Sequence, residues 1–155
     1  MRSYLLSRRT SALLLLLPLT SWSPVAEAFD QGQVSELLRS GKCRRCDLRG
    51  ANLEKAELVG ADLAEADLSG TNLAGAHLFA ANLGGAILTN ANLHRADLEE
   101  AWLTGAELSG SNLFQSRLTG VFLERANLSG AVWRDGRPCA PGSWGQCRVD
   151  TPTKP

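Results

Sequence analysis

The sequence predicts an all-β solenoid, and three regularities predict it. From Leu48 to Leu128 a leucine returns at every fifth residue, filling 17 of 17 positions. Two residues before each leucine stands a small side chain, alanine in 12 of the 17 and otherwise Cys46, Thr71, Ser111, Ser116 or Val121. Two residues after each leucine, nine of the 17 are glycine. Repeated units of this kind bury an apolar edge only against their neighbours.

Neither regular period accommodates the spacing. On a helix, a five-residue step at about 100° per residue turns roughly 140° net, which scatters the leucines around the whole circumference. On a straight strand an odd step alternates faces and puts half of them in water. The chain must therefore bend once per unit. Glycine, which tolerates positive φ, suits the corner, and a short extended stretch carrying Ala and Leu inward suits the side.

The elements follow in chain order. Residues 1–28 begin with Arg2, Arg8 and Arg9, continue through an apolar run from Ala12 to Leu19, and end in Pro24-Val25-Ala26-Glu27-Ala28. This is the pattern of a cleavable export signal with an A-x-A site at Ala26 and Ala28. The run is well short of the ~20 residues that span a bilayer, and Ser7-Arg8-Arg9 is compatible with either export route. The mature chain is expected to start at Phe29, outside the cytoplasm, with no membrane attachment after cleavage. Residues 29–45 form the next element, an N-terminal cap. Its Val34, Leu37 and Leu38 lie at helical spacing before Gly41, which predicts a short capping helix. Residues 46–133 carry the repeat. Residues 134–155 are irregular and rich in Gly and Pro, and they read as a C-terminal cap ending in a loose tail.

Within the repeat the units read A-(D/N)-L-x-x: Ala51-Asn52-Leu53, Ala61-Asp62-Leu63, Ala66-Asp67-Leu68, Ala91-Asn92-Leu93, Ala126-Asn127-Leu128. The pattern resembles the pentapeptide repeat proteins over roughly residues 46–133. That resemblance implies a right-handed quadrilateral β-helix with four units per coil, here about four to five coils. The Cys-x-x-Cys ahead of the repeat and the Gly-Ser-x-Gly-Gln-Cys ending also resemble exported pentapeptide repeat proteins of photosynthetic bacteria, which implies a periplasm, a thylakoid lumen or secretion.

With four units per coil, residues 20 apart stack. Asn52, Asn72, Asn92 and Asn112 then form an amide column, expected to act as coil-to-coil hydrogen-bonded glue. Trp102 falls under Phe122, both pointing outward. They are either a partner-binding patch or a surface covered by a terminal segment. His77 and His94 fall on different faces and lack the neighbours that a metal site requires.

Four cysteines, Cys43, Cys46, Cys139 and Cys147, permit three disulfide pairings. The two flanks lie at opposite ends of a rod about 20 Å long, at roughly 4.8 Å per layer, whereas bridged Cα atoms lie within about 7 Å. The local pairs, Cys43 with Cys46 and Cys139 with Cys147, are therefore expected.

Lys plus Arg number 16, as do Asp plus Glu, and without residues 1–28 the balance is 13 to 15, a net charge of −2. That excludes a generally basic nucleic-acid binder. The first reading is a non-enzymatic structural or protein-interaction module with an unidentified protein partner and no cofactor or metal. Two alternatives stand beside it. One is the DNA mimicry of gyrase-protecting relatives, which the near-zero charge and the interruptions at His77, Ile87 and Arg117 disfavour. The other is thiol-disulfide chemistry at Cys43 and Cys46, whose flanking cations would lower a thiol pKa.

Overall fold

The computed structural model describes residues 30–149. The predicted export signal and the last residues of the tail lie outside them.

A ten-residue helix, α1 (Gln31–Ser40), opens the described chain. The Asp30 carboxylate accepts from the Gly32 amide at 2.8 Å and so satisfies a free N–H of the first turn. Gly41, at φ 69°, ends the helix by donating to the Leu37 carbonyl. Leu37 is buried against the first coil. The Gln33 side chain accepts from the Asp47 amide at 2.7 Å, and the Asp30 amide donates to the Asp47 carbonyl. Helix and side-chain amide together close part of the lower backbone edge of the solenoid.

Above α1 the chain coils with a register of 20 residues. Parallel pairs run from Lys42–Asp62 up to Asn112–Val132, so four five-residue units make one coil. Each coil binds the next in both directions. The Leu88 amide donates to Glu107 in the coil above at 2.7 Å, and the Asn72 amide donates to Ala51 in the coil below at 2.9 Å. The leucine row and the small-residue row both point inward and fill the bore.

Every fifth residue from Arg45 to Gly130 is a corner with φ between 54° and 70°. At each corner after the first, the leucine carbonyl accepts from the amide three residues on, as Leu88 does from Ala91 at 3.0 Å. Positive φ at the third residue of such a turn is the type II pattern. Half of the eighteen corners, including Ala80 and Gln115, achieve it without glycine. The geometry is thus imposed by stacking and not by glycine alone.

The coil register begins at Gly41, one unit before the boundary read from the sequence, because Lys42 already pairs with Asp62. Cys43 occupies the leucine position there, and it interrupts the motif that marks the other units.

One buried side chain breaks the rule that interior polar groups are paired. The Ser111 hydroxyl, in the small-residue row, has no partner among the described residues, whereas Thr71 in the same row donates to the Leu48 carbonyl at 2.8 Å. Ser111→Ala removes an unsatisfied buried group and is expected to raise stability by about 1–2 kcal/mol. A denaturant titration of the two proteins checks the sign.

Candidate protein-binding face

The outward position just before each leucine decides what each side displays. On one side Asn52, Asn72, Asn92 and Asn112 stand in a column, and each amide nitrogen donates to the carbonyl oxygen below at 3.0, 3.1 and 3.4 Å in turn. The same oxygens accept from the amide two residues on, as Asn72 does from Ala74 and Asn92 from His94. One side chain therefore ties two coils together and closes its own turn, which explains the preference for Asp and Asn at this position. The repeat pattern shows the column, but the turn-closing role emerges only from the geometry.

A second side carries Glu57, His77, Asp97 and Arg117. Arg117 bonds to Asp97 at 3.0 Å and to Glu99 at 2.5 Å, so one guanidinium offsets part of the charge of two neighbouring carboxylates. His77 lies within 3.7 Å of Glu57, while His94 stacks on Phe114 with ring centres 5.5 Å apart. No group of metal-binding side chains occurs among the described residues.

The third side runs Lys42, Asp62, Asn82, Trp102 and Phe122. The two aromatic residues are directly paired through their backbones, and their rings meet edge to face at 6.3 Å. Trp102 is 57% exposed and Phe122 46%. Such an arrangement carries a favourable ring–ring contact while leaving both faces partly wet. The described part of the C-terminal segment does not cover them. It turns over the other two sides and reaches only the far corner of the aromatic one: Pro138 pairs with Val132 and Trp144 with Asn127, both antiparallel, Leu128 and Gly130 donate to Ser143 and Cys139, and Gly145 packs against Leu123 and Arg125.

The upper rim is closed unevenly as a result. Above the aromatic side and the side before it, the amides of Leu118, Gly120, Leu123 and Arg125 and the carbonyls of Ser116 and Val121 have no backbone partner among the described residues. In the coil below, the equivalent amides of Leu98, Glu100, Leu103 and Gly105 are all paired. Sequence reasoning missed this opening, since nothing in the repeat marks where a cap stops.

The cysteines sit at the two ends. Cys43 is joined to Cys46 with Cα atoms 5.4 Å apart, and Cys139 to Cys147 at 5.0 Å. Cys43 and Cys46 replace a leucine and an alanine of the inward rows, so their bridge lies in the mouth of the bore. Arg45, between them, bonds to Glu65 one coil up at 2.7 Å and holds that carboxyl below the usual range, first by this hydrogen bond and then by its charge. No helix among the described residues is long and apolar enough to cross a membrane.

Eight copies of the pentapeptide repeat match the chain over residues 42–78, 71–110 and 106–132. Among solved structures, a pentapeptide repeat protein (Rfr23) from the cyanobacterium Cyanothece 51142 is 34% identical with a TM-score of 0.58, over 64% of this chain and 82% of that one. A pentapeptide repeat protein from the Arabidopsis thaliana thylakoid lumen is 25% identical with a TM-score of 0.44, over 63% of this chain and 77% of that one. Another from Nostoc Pcc 7120 is 41% identical with a TM-score of 0.33, over 62% and 77%. No curated protein matches by sequence. With the repeat matched across well over half its length and the 20-residue register visible in its backbone, the chain belongs to the pentapeptide repeat proteins, the family of right-handed quadrilateral β-helices.

Proposed function

We propose that this is a non-enzymatic, exported interaction module that holds a partner protein against Trp102 and Phe122. The observation that carries the proposal is the exposed edge-to-face ring pair on a solenoid whose other outward columns are mostly small or polar. Aromatic anchors of this size dominate protein interfaces energetically. The leucine-filled bore supports the non-enzymatic reading, because interior volume that could enclose a substrate is taken up by side chains. Export rests on the leader pattern of residues 1–28, and bridges at both ends suit an oxidising compartment such as a periplasm or lumen.

Affinity capture from the exported fraction tests this, with the wild type beside Trp102→Ala/Phe122→Ala. The double variant is expected to lose a wild-type partner by about tenfold or more, since each anchor is worth at least ~1–2 kcal/mol. Its melting transition should stay near that of the wild type, because both rings point out of the core. Recovery of the same partners by both proteins would remove the patch from consideration.

A further inference from the structure

The aromatic pair stands directly beneath an open backbone edge, and the two features are of use to the same ligand. Along the top of Val121–Leu123, the Val121 carbonyl and the Leu123 amide are unpartnered among the described residues, whereas Gly145 packs over Glu124 and Arg125 and closes the stretch there. Phe122 projects outward from the middle of this stretch, with Trp102 one coil below. An extended segment laid along such an edge gains main-chain hydrogen bonds, and its alternate side chains descend over the outer face. The opposite end of the solenoid also leaves the amides of Asn52 and Glu57 unpartnered, but without a pair of exposed rings beside them.

Charge narrows the chemistry of the occupant. On the two open sides of the last two coils, residues 96–105 and 116–125, Asp97, Glu99, Glu100 and Glu124 stand against Arg117 and Arg125. The guanidinium of Arg117 is already engaged by Asp97 and Glu99. Among the described residues Glu100 makes no ion pair, and Glu124 accepts only from the Thr104 hydroxyl. The rings themselves attract cations through their π faces.

From these contacts we infer that the edge at Val121–Leu123 binds an extended, cationic segment of a partner protein by strand addition, with a lysine or arginine reaching the Trp102–Phe122 face. This rests on the proposed interaction role and adds the mode and the chemistry of the partner. The probe is a capped hexapeptide, Lys-Val-Thr-Val-Lys-Val, titrated into the isotopically labelled protein. Its controls are an acidic counterpart with glutamate for lysine and a version N-methylated at alternate residues.

The basic probe is expected to slow amide exchange at Leu123 at least tenfold at saturation and to change Trp102 fluorescence. The acidic and N-methylated peptides are expected to do neither. A fluorescence change without amide protection would overturn strand addition while leaving the aromatic patch standing. Equal protection by the acidic peptide would overturn the charge argument. Amides already protected in the free protein would assign the edge to the chain's own C-terminal segment, and protection that grows with protein concentration would assign it to a second copy. Either result overturns the inference, as does the absence of any response to the basic probe at millimolar concentration.

Discussion

Leu88→Asp is expected to abolish the cooperative melting transition. Leu88 is fully buried in a central coil, and its amide and carbonyl both serve the backbone network. Truncating a buried leucine alone costs about 2–5 kcal/mol. Placing an unpaired carboxylate in a bore with no compensating cation adds several kcal/mol more. The total approaches or exceeds the ~5–15 kcal/mol by which domains are stable. Because each coil touches only its neighbours, damage in the middle also separates the units on either side. Leu88→Met, which conserves volume, should cost less than about 1.5 kcal/mol and serves as the control. Thermal unfolding followed by circular dichroism distinguishes the two, and an aspartate variant that melts like the wild type would overturn the inward leucine ladder.

The second large effect is expected at the upper cap. Cys139–Cys147 closes a loop of eight residues, and on a chain-entropy basis such a bridge contributes about 2–3 kcal/mol. Cys139 also donates to Ala131 and accepts from Gly130, so the bridge anchors the segment that shields the last coil. Cys139→Ala/Cys147→Ala should lower the melting midpoint by several degrees and expose edge amides to self-association. Cys43–Cys46 closes a loop of only three residues, which reduces its entropic contribution by about 1 kcal/mol. Scanning calorimetry with light scattering on both double variants checks the order, and a larger loss at Cys43–Cys46 would reverse this assignment of the stronger staple.

Much of this architecture is legible in the amino acids because one residue type marks one geometric position. A leucine every five residues leaves no other periodic solution, and stacking at 20 residues then places Asn52 under Asn72 and Trp102 under Phe122. The legible part ends where the marker is lost. With Cys43 in a leucine position, the first unit looks like a cap. At Ala80 and Gln115 positive φ is carried by residues that disfavour it, so glycine understates the number of corners. The open rim depends on how far a Gly- and Pro-rich segment travels before Cys147 turns back to Cys139. That path is set by tertiary bonds to Leu128, Gly130 and Ala131, and local composition does not encode it.

The 20-residue register also governs which insertions and deletions the molecule can absorb. Removing one complete five-residue unit would keep leucines in the bore but swing everything downstream by a quarter turn, bringing amide over aromatic and aromatic over acid. Removing a whole coil would shorten the rod and keep every outer column aligned. Lengthening by duplication therefore conserves surface identity only in multiples of four units, which makes the side of the rod, and not the distance along it, the unit in which such a chain can change its contacts.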